Sequence, residues 1–190
     1  MRILIILGHP DSETYCGALE QAYARGADMS GAEVRRLNLG ELDFDPLLHH
    51  GYKEIQTLEP DLVYAQEAIR WAEHLVIIYP TWWGDMPAVM KGFFDRILLP
   101  GFAFKMISAW RWRKLLKGRS ARLIVTMDTP PLLHGLLYGS PGIRLVKDAI
   151  LGFCGVSPVR VSTFGPVRHS TEERRARWLA EVEALGRRQR

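Results

Sequence analysis

Continuous runs of β-branched residues and leucine, rather than runs that alternate with polar residues, recur along the chain. These runs lie at 2–7, 75–79, 123–126 and 159–163. Such runs are typical of parallel strands that are covered on both faces. A more polar stretch at 33–39 fits a fifth strand. The segments between the strands carry helical patterns, near 14–29, 60–73, 87–97, 141–153 and 171–186.

This regular alternation of strand and helix predicts a doubly wound α/β fold. We expect a five-stranded parallel sheet of order 2-1-3-4-5 with helices on both faces, which makes a three-layer sandwich. Two stretches fit the pattern poorly, namely 40–59, which is rich in turn residues, and 104–120, which is basic. We interpret both as excursions from the sheet. The 190 residues, 47% of them hydrophobic, therefore predict a single domain over 1–190.

The beginning of the chain resembles a signal peptide only superficially. Its apolar run is short and stops at Gly8-His9-Pro10-Asp11, and no segment approaches the roughly 18–20 apolar residues that span a bilayer. The two cysteines, Cys16 and Cys154, lie far apart in sequence, which does not suit a disulfide scaffold. We therefore expect a cytoplasmic protein that does not insert into the membrane.

Charge divides the chain into two unlike halves. Residues 1–100 carry 8 Lys and Arg against 15 Asp and Glu, whereas residues 101–190 carry 17 against 6. A basic half suits nucleic acid, an acidic partner or a phosphorylated small molecule. The stretch 105–122 lacks a recognisable nucleic-acid reading motif, and the other half of the chain is acidic, so we expect no nucleic-acid partner.

Ligands of such folds bind beyond the carboxyl ends of the strands, where the strand order switches. Three segments should meet there: 8–17, 80–87 and 126–139. In the first segment a strand turns into a helix whose first amides are free to bind a phosphate, with His9 as the only candidate cation. The alternative is that Ser12 or Thr14 simply caps the helix.

The second segment places Trp82 and Trp83 at the end of a buried strand. Two flat apolar side chains at this edge suit a planar aromatic ligand, whose polar edge the turn amides at 82–84 would bind. The alternative is that the two tryptophans belong to the core or to a dimer contact.

A longer motif surrounds these tryptophans. From Pro80 to Arg96 the chain reads Pro-x-x-Trp-x-x-x-Pro-Ala-x-x-Lys-Gly-x-Phe-(Asp/Glu)-Arg, followed by Gly101-Phe102-Ala103-Phe104. This pattern resembles the NAD(P)H quinone oxidoreductases of the flavodoxin-like superfamily. The resemblance covers nearly the whole chain, including a closing segment at 151–155 and the last helix through Trp178.

The resemblance implies a flavodoxin-like enzyme that carries FMN, with FAD as the other possibility. It implies two-electron, ping-pong transfer of hydride from NAD(P)H through the flavin to a quinone or another flat aromatic acceptor. It also implies a homodimer with the flavin site at the subunit boundary. The alternative is a redox-sensing ancillary subunit that regulates a membrane transporter.

The same resemblance assigns site residues in four groups. The flavin phosphate is expected at His9, Thr14, Tyr15 and Cys16. The isoalloxazine ring is expected at Pro80, Thr81, Trp82, Trp83 and Gly84, with Trp83 beside it. The far edge of the ring is expected at Thr126, Met127, Asp128 and Thr129. The slot shared by nicotinamide and acceptor is expected at Phe102 and Phe104.

Some positions depart from the family pattern. Asp128 stands in a proline-rich loop, where it either accepts a hydrogen bond from flavin N3–H or initiates the turn before the prolines. His134 and Tyr138 are candidates for the group that steadies charge during hydride transfer, or are surface groups of a loop. We expect no metal site.

Part of a run of seven basic residues within 105–122 is predicted to form a short rim beside the flavin site that attracts the phosphates of the incoming nicotinamide nucleotide. The alternative is a solvated basic face. The seven residues are Lys105, Arg111, Arg113, Lys114, Lys117, Arg119 and Arg122.

Overall fold

The computed structural model describes residues 1–51 and 53–189. Within these residues the strands run over Arg2–Leu7 (β1), Glu33–Asn38 (β2), His74–Pro80 (β3), Phe104–Ser108 (β4), Arg111–Lys114 (β5), Ser120–Thr126 (β6) and Val159–Phe164 (β7). The α-helices in the same part of the chain run over Tyr15–Met29 (α1), Pro60–Trp71 (α2), Ala88–Ile97 (α3), Pro131–Tyr138 (α4), Pro141–Arg144 (α5) and Glu172–Arg187 (α6). A π-helical segment, Leu145–Gly152, continues α5.

Five of the strands form one parallel sheet in the order β2-β1-β3-β6-β7. This is the predicted order 2-1-3-4-5 once the two strands of a separate hairpin are left out of the count. Leu7 of β1 pairs with Ile78 of β3, and Pro80 at the end of β3 pairs with Thr126 of β6. The loops that follow these three strands therefore leave the same edge of the sheet.

Alternate side chains of the central strands supply two separate cores, one on each face of the sheet. Leu75, Ile77 and Tyr79 of β3 pack in the cluster that includes α2 and α3. Val76 and Ile78 pack in the cluster that includes α1 and α6. Burial on both faces is the reason why the central strands read as continuous apolar runs. The predicted three-layer sandwich is confirmed.

The turn-rich stretch 40–59 is held against the molecule by one buried cation. Arg96 of α3 is only 1% exposed and donates to Glu59 at 2.7 Å, to the Thr57 carbonyl at 3.0 Å, and to the Asp45 carbonyl. Burial is the largest single effect and opposes the ionisation of Glu59, but the hydrogen bond from Arg96, the backbone amides of Glu59 and Asp45 and the charge of Arg96 together outweigh it and lower the pKa of this carboxyl. Arg96 therefore ties both ends of this excursion, at Asp45 and at Thr57 and Glu59, to α3.

Two elements go beyond the pattern predicted from sequence. The basic stretch contains an antiparallel hairpin of β4 and β5, in which Trp112 stacks on Phe153 at 4.7 Å between ring centroids. The segment after β6 was expected to be a loop, but it forms α4. Among the helices described, none combines the length and the apolar character needed to cross a bilayer.

Candidate active site

Three loops converge at the carboxyl edge of the sheet, as predicted from the strand order. The Thr81 amide donates to the Thr126 carbonyl at 2.7 Å, which joins the loops after β3 and β6. The Cys16 sulfur lies 3.2 Å from the Thr126 hydroxyl, which joins the end of the first loop to β6. The rings of His9 and Trp82 meet edge to face at 5.3 Å between centroids. The three loops therefore form one connected surface.

The first loop organises itself around His9 and Asp11. The Asp11 amide donates to His9 Nδ1 at 2.9 Å, so the proton of a neutral ring lies on Nε2. Thr14 caps α1 by accepting from the Gly17 amide at 3.4 Å. Within residues 1–51 and 53–189, the amides of Tyr15 and Cys16 have no hydrogen-bond partner. The loop thus offers free donors at a helix N-terminus, which is the arrangement that binds anions.

Close backbone packing fixes this loop on the helix behind it. A Cβ atom added to Gly17 would lie 1.9 Å from the Ser12 carbonyl oxygen. No side chain fits in that gap, so a glycine is required for the loop to fold back onto the first turn of α1. The capping alternative and the phosphate-binding prediction are compatible, because the cap occupies the Gly17 amide and leaves the two preceding amides free.

The side chains of Tyr15 and Cys16 point to other parts of the protein. The Tyr15 hydroxyl donates to the Arg175 carbonyl at 3.0 Å, and its ring lies 6.3 Å from that of Trp178. Burial raises the pKa of the Tyr15 hydroxyl to about 12 and that of the Cys16 thiol to about 11, so both groups stay neutral at physiological pH. These two residues can therefore serve an anion only through their backbone amides.

The second loop makes a tight turn at Trp82–Asp85. The amide and carbonyl of Trp82 exchange hydrogen bonds with Asp85 at 2.8 and 3.0 Å. The central residues, Trp83 and Gly84, have φ of 51° and 81°, as in a type I′ turn. Trp83 is a rare bulky residue in the left-handed region, and its side chain is fully exposed. Neither central amide has a partner among the residues described. The turn therefore presents a flat ring and two donors.

The third loop is joined to the end of β7 and to the segment after it by backbone hydrogen bonds and by the Asp128 side chain. The Met127 amide donates to the Phe164 carbonyl at 3.0 Å, and Asp128 Oδ1 accepts from the Arg168 amide at 2.9 Å. Asp128 thus anchors the 165–170 segment with one oxygen. The amides of Asp128 and Thr129 have no partner within the described ranges.

A cavity of about 510 Å³ opens between the second and third loops. Nine residues line it: Thr81, Trp83, Gly84, Met127, Asp128, Thr129, His134, Tyr138 and Pro141. All but Pro141 are candidates from the sequence. Its size and mixed wall suit a small aromatic ligand. A slightly larger cavity, of about 540 Å³, lies between α3 and the segment after α5, but its wall is largely apolar and holds none of the unpartnered amides.

His134 and Tyr138 lie on a helix and not in the surface loop that is one of the two alternatives from the sequence. Both lie on α4, and His134 is only 4% exposed, although Tyr138 is largely exposed. Their rings are 5.7 Å apart. The helix begins at a proline, which is favourable at a first helical position, and ends at Gly139 in the left-handed conformation. Both of these signals, the proline and the glycine, are present in the sequence.

Gly142 and Ser140 are not among the candidates from the sequence. They lie at the start of α5, next to the Trp82–Asp85 turn. The Gly142 amide donates to the Gly84 carbonyl at 3.2 Å. A Cβ atom on Gly142 would lie 2.7 Å from that oxygen and from the Asp85 Cα. The Gly139-Ser140-Pro141-Gly142 run therefore lets the start of α5 approach the Trp82–Asp85 turn closely.

Phe102 and Phe104 do not join this cavity within one chain. The ring of Phe102 lies under the Arg70 guanidinium at 4.8 Å, at the end of α2, and Phe104 packs on Phe153 at 5.1 Å. Both follow α3, which runs from the carboxyl edge of the sheet back to the opposite edge. The predicted slot is thus not formed inside a single chain.

The basic stretch also lies at that opposite edge. Arg119 donates to the Ile69 and Arg70 carbonyls at 2.9 and 2.7 Å, and Lys114 donates to the Gly152 carbonyl at 2.7 Å. Arg122 is buried and donates to Ser162 at 2.7 Å. Within a single chain these cations therefore do not line the cavity, and the exposed ones, Lys105, Arg111 and Arg113, lie on the hairpin.

The sequence and the fold of this chain are both similar to those of known proteins. The model of the flavodoxin-like fold family matches residues 1–185. The chain belongs to this family. It is 26% identical to an uncharacterized NAD(P)H oxidoreductase of Haemophilus influenzae, over 97% of this chain and 93% of that protein. It is 24% identical to rat NAD(P)H dehydrogenase [quinone] 1, over 94% of this chain and 73% of that protein.

Solved structures give the same fold. Smu.1420 from Streptococcus mutans superposes with a TM-score of 0.84 at 26% identity, covering 99% of this chain and all of that one. The NAD(P)H:quinone oxidoreductase from Methanothermobacter marburgensis has a TM-score of 0.82 at 23% identity, covering 100% and 96%. An FMN-dependent NADH-azoreductase from Bacillus anthracis, solved with FMN, has a TM-score of 0.77 at 17% identity, covering 100% and 99%. The resemblance to NAD(P)H quinone oxidoreductases is confirmed.

Proposed function

We propose that this protein is a flavin-dependent NAD(P)H oxidoreductase that reduces quinones or similar flat aromatic acceptors by ping-pong hydride transfer. The observation that carries the proposal is the convergence of free backbone donors and an exposed tryptophan on one cavity at the carboxyl edge of the sheet. The names of the relatives support it. None of the relatives described above is named as a transporter subunit, so we keep the enzyme in preference to the regulatory alternative.

The residues present fit a flavin. The free amides of Tyr15 and Cys16 and the Nε2–H of His9 suit a phosphate, because all three are donors at a helix N-terminus. The free amides of Trp83 and Gly84 suit the carbonyl-rich edge of an isoalloxazine ring. A fully exposed tryptophan suits the flat face of that ring.

In the proposed mechanism a bound flavin supplies the hydride chemistry, and the protein supplies position and electrostatics. His9, Thr14, Tyr15 and Cys16 would hold the phosphate. The turn residues Pro80, Thr81, Trp82, Trp83 and Gly84 would hold one side of the ring. Thr126, Met127, Asp128 and Thr129 would hold its far edge, with His134 as the donor that holds a proton near developing negative charge.

We favour FMN over FAD. The Tyr15 side chain packs against Trp178 and the Arg175 carbonyl, between the phosphate loop and α6. An adenosine that extended past the loop on this side would have to displace this contact. A compact cofactor that ends at its phosphate needs no such change.

We further propose a homodimer in the cytoplasm. Two apolar surfaces are exposed on opposite edges of the chain. Leu132 and Leu136 of α4 are 77% and 75% exposed, and Trp110 at the hairpin is 89% exposed. A two-fold axis would let the hairpin of each copy cover α4 of the other. The same arrangement would bring Phe104 and the hairpin cations toward the partner's cavity, which would restore the predicted slot.

The function is tested by reconstitution. Purified apoprotein is titrated with FMN and FAD while flavin fluorescence is recorded, and the loaded protein is mixed with NADH or NADPH and then with a quinone. We expect binding of FMN, reduction by the nucleotide and reoxidation by the quinone. A protein that binds neither flavin and oxidises neither nucleotide would contradict the proposal. Light scattering that gives a monomer mass would contradict the homodimer alone.

The hairpin cations have a test of their own. If they bind nucleotide phosphates, Arg111→Ala with Arg113→Ala raises the Michaelis constant for NADPH and weakens its dependence on salt, because arginine pairs phosphate strongly. Unchanged values would show that the hairpin is only a solvated basic face.

A further inference from the structure

His134 is joined to a serine that no motif pointed to. The Ser140 hydroxyl lies 3.3 Å from His134 Nδ1 across the end of α4. His134 is nine-tenths buried, and its other nitrogen, Nε2, is buried with no partner among the residues described. A buried imidazole nitrogen without a partner is costly, so its presence in the wall of a ligand cavity calls for an explanation.

The backbone holds Ser140 in an unusual conformation. Its φ is 50°, directly after Gly139 at 66°. The left-handed region is unfavourable for a residue with a Cβ atom, a cost that a second glycine would avoid. The Arg144 amide donates to the Ser140 carbonyl at 3.1 Å, which fixes the residue at the start of α5. The conformation is therefore fixed by its surroundings, and it keeps the hydroxyl within reach of the imidazole.

The hydroxyl decides which ring nitrogen carries the proton. A serine that donates to Nδ1 leaves the proton of the neutral ring on Nε2, whereas a serine that accepts would put it on Nδ1. The other free polar groups of the cavity wall include the amides of Trp83, Gly84 and Thr129, which are donors. A ligand edge that matches these donors presents acceptors. A proton on Nε2 makes His134 a hydrogen-bond donor too, like these amides.

We infer that Ser140 is a positioning residue that donates to His134 Nδ1 and so makes Nε2 the ring nitrogen that carries the proton and donates it. Its catalytic part rests on the proposed function. A proton held at Nε2 stabilises the negative charge that a hydride donor brings into the cavity. Tyr138, whose ring is 5.7 Å from that of His134, packs beside the pair.

The first test needs no flavin. Long-range proton–nitrogen spectra of the ¹⁵N-histidine-labelled apoprotein report which ring nitrogen carries the proton, with His134→Gln used to assign the signal. We expect the Nε2–H form in the wild type and a mixture of forms in Ser140→Ala. Ser140→Gly removes the hydroxyl and relieves the backbone at once, so it gives the answer if the alanine variant does not fold. Ser108→Ala, on the exposed hairpin, is the control.

The second test uses the FMN-loaded protein. Single-turnover reduction by NAD(P)H should slow by about tenfold in Ser140→Ala and Ser140→Gly, while FMN affinity stays within about twofold, since one neutral hydrogen bond is lost. An unchanged tautomer in both variants would overturn the positioning role. A changed tautomer with an unchanged rate would overturn the catalytic part. If the wild type binds no flavin, the proposed function fails, and the tautomer result still stands or falls alone.

Discussion

Gly17→Ala is the substitution that most directly separates phosphate binding from folding. The added Cβ would lie 1.9 Å from the Ser12 carbonyl oxygen, whereas ordinary contact begins at 3.4 Å. The loop must therefore withdraw by about 1.5 Å. Overpacking of this kind costs about 1–3 kcal/mol, and loss of the Thr14 cap adds about 1 kcal/mol. The helix recovers up to about 1 kcal/mol, because alanine is the better helix former.

We expect the variant to fold with its free energy of unfolding lowered by about 1–3 kcal/mol. FMN affinity should fall as well, by about 10–100-fold, because hydrogen bonds to a charged group contribute about 1.5–3 kcal/mol. Flavin fluorescence titration measures the affinity, and urea unfolding measures the stability. Gly135→Ala is the matched control, because its Cβ would meet only the Ser140 hydroxyl, at 3.8 Å. A folded Gly17→Ala protein with wild-type FMN affinity would refute the assignment of this loop.

Three further predictions concern the turn, the exposed tryptophan and the buried cation. In Gly142→Ala the added Cβ would lie 2.7 Å from the Gly84 oxygen, so FMN binding should weaken about tenfold, whereas Gly135→Ala should not weaken it. If the two variants bind FMN with equal affinity, this contact does not shape the site. Trp83→Asn should leave the apoprotein at least as stable as the wild type in urea, since asparagine tolerates φ of 51°. The same variant should reduce quinones more slowly. A large loss of stability would mean that the tryptophan is structural. Arg96→Met should lower the free energy of unfolding by about 3 kcal/mol, because it leaves Glu59 without its cation. The pKa of Glu59 is lowered by folding, so its contribution is present above the usual value of 4.5 and is lost as pH falls through the folded value. Urea unfolding between pH 6 and pH 3 should therefore show a larger loss of stability in the wild type than in the variant.

The sheet could be read from the sequence because burial on both faces leaves a simple trace. The run of β3, for example, is apolar at every position from Leu75 to Tyr79, and only a strand covered on both sides needs that. The strand order then determined which loops meet. For the same reason the sequence predicts most of the residues that line the cavity.

The rest of the site depends on tertiary contacts that leave no local pattern. The proline pair at 130–131 predicts a loop when taken by itself, although a proline followed by an apolar run and a glycine also starts and ends a helix. The positions of Phe102 and Phe104 were carried over from the resemblance, and chain direction places them at the far edge. Which amides stay free, and that Ser140 reaches His134, depend on how separate segments pack.

Under the proposed function, the cavity at the carboxyl edge holds a flavin that passes hydride from NAD(P)H to a quinone. Stopped-flow absorbance of the FMN-reconstituted protein measures this transfer. We expect NAD(P)H to bleach the flavin band in the absence of acceptor, and a quinone, added after the nucleotide is removed, to restore it. A protein that takes up no flavin, or a flavin band that stays unchanged on addition of NADH and NADPH, would contradict the proposed function.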